Sequence, residues 1–96
     1  MRKVIYSPAA LEDLRGIARY IADANPASAL SFIEELQSVA NIVAQRPASF
    51  PARPELAAGL RVAHHGRYLL FFIHDEGEIE IIRVLHGARD IGKAFS

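Results

Sequence analysis

The chain has 96 residues, 51% of them hydrophobic and 23% charged, with 11 basic side chains balanced by 11 acids and no cysteine. That length supports a single domain over residues 1–96, burying roughly 60–70% of its unfolded surface, and excludes two separate cores. Zero net charge removes a global attraction to nucleic-acid phosphates, and the lack of cysteine removes disulfides, thiolate chemistry and cysteine-ligated zinc. The cations are uneven in type: arginine, suited to planar recognition of carboxylate or phosphate, supplies all but Lys3 and Lys93. The first apolar run, residues 4–6, is far shorter than a secretory core, and no stretch approaches the roughly 20 residues that cross a bilayer. A cytoplasmic protein with no direct membrane contact is expected.

Residues 3–7 read as a short strand, with Val4 and Tyr6 alternating against Lys3 and Ile5. Ser7-Pro8 then predicts a helix start: serine caps free amides, proline at the first helical position loses no hydrogen bond, and Glu12 and Asp13 suit the positive end of the dipole. Leu11, Leu14, Ile17, Ala18 and Ile21 form one apolar stripe. Gly16 interrupts it at a cost of about 1 kcal/mol relative to alanine, and close approach of another backbone is the expected compensation. Asn25-Pro26 repeats the cap-then-proline device, so a second helix runs antiparallel to the first after a short connection. Its seam is Phe32, Leu36, Val39 and Val43, flanked by Ile33 and Ala40, and reads as core. Pro47 ends it, and residues 46–59, with three prolines and Gly59, read as an ordered surface loop whose length points mildly to function.

Strand patterns follow at residues 61–64, 68–74 and from 78, joined by a turn at His65-Gly66 and by Asp75-Glu76-Gly77, whose glycine can take the left-handed position of a hairpin loop. The fold class is α+β: strand, helical hairpin, then a three-stranded antiparallel meander, β-α-α-β-β-β. The middle strand is apolar on both parities, Leu69, Phe71 and Ile73 against Tyr68, Leu70 and Phe72. One helical layer covers only one face. The other face is expected to be covered by residues 91–95 together with a partner polypeptide. In residues 78–90, Ile79 and Ile81 share their parity with Arg83, an arginine at a position that patterning reserves for the core. Either a bulge re-aims the strand, or Arg83 sits where its charge is used, among apolar residues that a partner covers.

Four histidines raise the question of a metal, but His64 and His65 are adjacent and no H-x-H or H-E-x-x-H occurs, so no metal or other cofactor is expected. No serine stands in a recognisable nucleophile elbow. Metal-free RNA cleavage fits better. It needs a base, an acid and cations for the phosphorane, and Arg61, Arg67, Arg83, His65 and His86 lie in or beside adjacent strands. His86 is the candidate to move protons, with backbone satisfaction at a strand end as its other reading.

The order of a strand, a Ser-Pro-Ala-Ala-x-x-Asp-Leu helix, a second helix ending near proline, Gly59-Leu60-Arg61, the strand from Tyr68 and then RVLHGARD (residues 83–90) resembles toxins of the ParE type in the RelE/ParE toxin-antitoxin superfamily. The resemblance spans nearly the whole chain and is most specific in RVLHGARD. It implies a bacterial type II toxin, forming a hetero-oligomer with a cognate ParD-like antitoxin whose flexible C-terminal part wraps it. Its implied action is inhibition of DNA gyrase, and so of replication, without catalysis. A RelE-like ribosome-dependent mRNA endonuclease, with Arg61, Arg83 and His86 as its catalytic set, and a non-toxic antitoxin-binding module are the alternatives. Target-contact candidates are Arg61, Arg67, Arg83, His86 and Arg89; antitoxin-contact candidates are Tyr68, Leu70, Phe72, Ile82 and Val84.

Overall fold

The structure, a computed structural model, describes residues 2–96. It contains β1 (Lys3–Tyr6), α1 (Pro8–Ala24), α2 (Pro26–Gln45), a 3-10 turn at Pro47–Ser49, β2 (Arg61–His65), β3 (Tyr68–His74), β4 (Glu78–His86) and a short α3 (Ile91–Ala94). The strands form one sheet in the order β1-β4-β3-β2. The meander β2-β3-β4 is antiparallel, whereas β1 lies parallel to β4, so the sheet is mixed. None of the described helices is long and apolar enough to cross a membrane.

The cap signals in the sequence act as their chemistry requires, whereas Glu12 and Asp13 lie beyond the first turn of α1, which holds no acid, and do not serve its dipole as expected. The Ser7 hydroxyl accepts the amide of Ala10 at 3.0 Å and donates to the carbonyl of Ile82 at 2.7 Å, which caps α1 and ties it to β4. Asn25 serves both helices: its amide donates to Ile21 at the end of α1, and its side chain accepts the amides of Ala27 and Ser28 at the start of α2. The hairpin connection is therefore one residue long. At the β2–β3 turn Gly66 has φ +58 while Arg67 has no positive φ, as a II′ hairpin turn requires, so β2 runs one residue further than the pattern predicts.

Two apolar layers lie on opposite faces of the sheet. Under the helices, Phe32, Leu36 and Val43 of α2 pack on Leu70, Phe72 and Ile81. On the other face Leu60, Val62, Leu69, Phe71 and Leu85 are sealed by Leu56 of the loop and by Ile91, Ala94 and Phe95. The Phe95 ring centroid stands 5.0 Å from that of Phe71, which is 0% exposed. The expected covering partner on this face is thus corrected: the chain closes it with its own loop and C-terminal segment. Phe95, half-buried just past this four-residue helix, gains part of the roughly 1.5–3 kcal/mol that full burial of such a side chain supplies.

Other expectations also change. A Cβ at Gly16 would meet nothing within 4 Å, so no backbone approaches there, and Leu11 is 40% exposed although it sits on the apolar stripe. Gly77 does not adopt positive φ. Its turn is made instead by the Asp75 carboxylate, which accepts the amides of Gly77 and Glu78 at 2.8 and 2.9 Å. Residues 46–59 are tied down as structure: Ala52 bridges to Arg61, Arg53 donates to Leu60, and the Phe50 ring packs edge-on against Phe72.

The parity break at Arg83 resolves as both alternatives at once. Phe71 pairs with Arg83 but Phe72 pairs with Ile81, which leaves Ile82 as the extra residue of a β-bulge. Ile79 and Ile81 before the bulge and Val84 after it all join the helix-side core, while Leu85 joins the other. Arg83 is also used for its charge, but inside the chain. Its Nε and a terminal nitrogen donate to the two oxygens of Asp13 at 2.7 and 2.9 Å, and Asp13 additionally accepts the amide of Val84 at 3.0 Å. The fork does not await a partner's carboxylate.

Candidate functional site

The strand register aligns His65 of β2, Tyr68 of β3 and His86 of β4 side by side at one end of the sheet. Their rings make a continuous aromatic surface with Phe32 of α2. Phe32 lies 5.0 Å from Tyr68 and 5.9 Å from His65, and Tyr68 lies 5.2 Å edge-on to His86. The His65 Nε2 meets Glu35 of α2 at 2.9 Å, which holds the β2 end against the helix.

Two open grooves meet on this surface and share Tyr20, Tyr68 and His86. One, of about 310 Å³, runs beside α1 past Asp13, Gly16 and Ile17 toward Arg89. The other, of about 370 Å³, runs past Phe32 and His65 to Gly66 and Arg67. Tyr20 stands on the shared rim with 76% of its surface exposed.

Hydrogen bonding fixes what His86 can do. The backbone amide of Ala88 donates to His86 Nδ1 at 3.0 Å, so Nδ1 is the acceptor and the neutral ring carries its proton on Nε2. An imidazole held this way offers a donor at Nε2 and no free lone pair to accept a proton from a hydroxyl.

The candidate arginines separate into two kinds. Arg61 lies at the opposite end of β2 from His65, roughly 13 Å away by strand rise, and its guanidinium donates to the carbonyl of Phe50 at 2.7 Å. Arg83 is committed to Asp13, with side-chain exposures of 20% and 11% for the pair. The hydrogen bonds that Arg83 donates to the Asp13 carboxylate push the Arg83 pKa still higher, against the opposing effect of burial. Arg67 and Arg89 are exposed, and among the described residues neither guanidinium has a hydrogen-bond or ion-pair partner, although their backbones are tied to Gly87 and His86. The set Arg61, Arg83 and His86 is therefore not assembled into one centre, whereas Arg67, His86 and Arg89 share one end of the molecule. Among the described residues no three His, Asp or Glu side chains group as metal ligands.

The antitoxin-contact candidates need a similar correction. Leu70 and Phe72 are 0% exposed and Val84 is 1% exposed, all under the helical hairpin, so they present no surface. Leu70 and Phe72 lie on the parity of β3 that the hairpin covers, and Val84 of β4 joins them in the same core. Tyr68 and Ile82 are half-buried, Tyr68 at the grooves and Ile82 against the C-terminal cover. Sequence reasoning missed Asp13, Tyr20 and the open space at Gly16. Asp13 had a readable signal: spaced three after Ala10 and four before Ile17, it puts an acid on the apolar side of α1, a misfit of opposite sign to Arg83.

The sequence matches, over residues 4–91, the model of the family described as ParE toxin of type II toxin-antitoxin system, parDE. No curated protein matches significantly. Among solved structures, a chain described as the chromosomal ParDE TA system from P. aeruginosa aligns with a TM-score of 0.72 and 21% identity, covering 90% of this chain and 96% of that one. At that identity the likeness is one of fold, and it agrees with the β-α-α-β-β-β order. A family match that runs from β1 to the start of α3 leaves little of the chain outside it, and the chain belongs to the ParE toxin family of type II toxin-antitoxin systems.

Proposed function

We propose that this toxin inhibits DNA gyrase through surface contacts made by Arg67, His86 and Arg89, and that a cognate antitoxin neutralises it by binding. The observation that carries this reading is the state of its cations and histidine. Arg61 and Arg83 are occupied by Phe50 and Asp13, and His86 is held with Nδ1 filled, so the groups that metal-free RNA cleavage requires do not converge. Arg67 and Arg89 remain available to bind a carboxylate or phosphate on a large partner. Binding without chemistry also fits a chain of zero net charge, which lacks the basic field that steers a protein to ribosomal RNA.

The test is a supercoiling assay with purified gyrase, scored also for accumulated cleavage complexes. Wild-type toxin inhibits supercoiling, and Arg67→Ala combined with Arg89→Ala weakens inhibition while leaving the thermal unfolding midpoint unchanged. Unaltered supercoiling at high excess of wild-type toxin, together with cuts in mRNA in a translating extract, replaces this reading with the endonuclease one.

A further inference from the structure

We propose that Arg67, His86 and Arg89 bind neighbouring phosphates on the DNA strand that gyrase holds, so that the toxin grips the enzyme's DNA and not an acidic side chain of the enzyme. This rests on the gyrase reading above and names the chemical class of the contact. The first support is preorganisation. Arg67 and Arg89 flank His86, and their backbones are fixed to that strand end: the amide of Gly87 donates to the carbonyl of Arg67 at 2.7 Å, and the amide of Arg89 donates to the carbonyl of His86 at 3.0 Å. A Cβ at position 87 would stand 3.3 Å from the Arg67 carbonyl oxygen, so glycine permits this close junction. His86 adds its Nε2 proton as a third donor, since its Nδ1 is filled.

The number of donors supplies the second support. Within this chain one arginine fork is enough for one carboxylate, because Arg83 alone holds both oxygens of Asp13 at 2.7 and 2.9 Å. Two unpaired forks and an imidazole donor exceed what a single carboxylate takes up, and they match the repeated oxygens of a phosphodiester backbone. The surface beside them suits that backbone. An open hollow of about 380 Å³ is lined by Arg67 and His86 together with His64 and the small residues Gly66, Gly87 and Ala88, and no acid lines it. Asp90, which follows Arg89, is engaged in accepting the amide of Lys93 at 3.1 Å.

Charge placement is the third support. The β2–β3 turn that carries Arg67 and the β3–β4 turn lie at opposite ends of β3, whose seven residues span roughly 20 Å by strand rise. Asp75, Glu76, Glu78 and Glu80 all gather at the second end. A chain of zero net charge thus keeps its densest run of acids a strand's length from the proposed contact, and only one end of the sheet can approach phosphate without repulsion. Zero net charge also means that free DNA is held weakly, so the contact forms where gyrase supplies the rest of the interface.

The experiment measures, by fluorescence anisotropy across a series of salt concentrations, the affinity of full-length toxin for purified gyrase alone and for gyrase bound to a duplex. Wild type is compared with Arg67→Gln, with Arg89→Gln and with Arg46→Gln, which removes an exposed cation at the end of α2. Circular dichroism verifies that each is folded. Wild type binds the gyrase–DNA complex at least about tenfold more tightly than gyrase alone. Arg67→Gln and Arg89→Gln each weaken binding to the complex about three- to tenfold and lower the slope of log affinity against log salt by about one, while their affinity for gyrase alone, and that of Arg46→Gln for either form, stays within about twofold of wild type. Equal losses on gyrase alone and on the complex overturn the proposal and assign the arginines to a protein carboxylate, with the gyrase reading intact. A salt slope unchanged in both variants overturns it as well. Wild-type toxin that binds neither form defeats the gyrase reading on which the proposal rests.

Discussion

The two halves of β4 meet the same need by different means. From Glu78 to Ile81 its outer edge is paired with the backbone of β1, residue for residue and in parallel. Beyond Ile81, β1 has ended and α1 has begun, so side chains take over. Ser7 donates to the carbonyl of Ile82, and Asp13 accepts the amide of Val84 while gripping Arg83. A strand neighbour satisfies an edge and also fills the space beside it. Side chains from a helix satisfy the edge but leave room around them, and the groove past Gly16 and Tyr20 lies beside this second half. A polar group inside needs a partner, but the partner need not be another strand.

The largest effect on this comparison comes from breaking the ion pair. Asp13→Ala strands a mostly covered guanidinium and the Val84 amide together, and urea unfolding should show a loss of about 3–5 kcal/mol. Arg83→Ala should cost a similar amount, and the double variant should cost less than the sum, because the two residues act as a unit. Strictly additive losses would show that the pair does not couple α1 to β4. Ser7→Ala is expected to be milder, about 1–2 kcal/mol, since it removes a cap and one hydrogen bond to β4.

Gly16→Ala should act in the opposite direction. With open space at the Cβ position, it should stabilise the helix by about 0.5–1 kcal/mol, seen as a raised unfolding midpoint. A loss of stability there would mean that the space is needed by the fold itself. The smallest effect belongs to the β1-paired half, at the Asp75 turn that precedes it. The amides of Gly77 and Glu78 hold the exposed Asp75 carboxyl below the ordinary aspartate range. A depressed folded-state value stabilises the fold above the unfolded value and ceases to do so as pH falls through the folded one. Thermal midpoints measured from about pH 5 downward should therefore fall, with the Asp75 share of that fall concentrated below about pH 4. Asp75→Asn should make the acid limb shallower, and an unchanged limb would remove Asp75 from it.

How legible the site was depends on the distance over which each residue acts. Ser7-Pro8 and Asn25-Pro26 were read correctly because a cap bonds to amides only two or three residues away. The seam Phe32, Leu36 and Val43 was equally plain, since helical period and burial are the same fact seen twice. Gly16 and Gly77 were misread because a glycine records what a position permits, not what lies beside it. Leu70 and Phe72 were misplaced for a related reason, since a strand apolar on both parities does not say which face the helices take, and Val84 because the bulge at Ile82 turns it toward the helices.

Local chemistry in the chain by itself determined the order β-α-α-β-β-β, the ends of the helical hairpin, and the presence of a misfit at Arg83, because each rests on periodicity or on hydrogen bonds between near neighbours. Only the tertiary structure decided that the misfit is answered by Asp13, 70 residues earlier, and that Arg61 and His86 stand at different ends of the sheet. It also decided that the loop at Leu56 and the C-terminal segment together cover the far face. Those outcomes depend on strand order, on one extra residue at Ile82 and on where α1 crosses the end of β1. Such juxtapositions have no local signature, since the energy that selects them arises only when distant segments pack together.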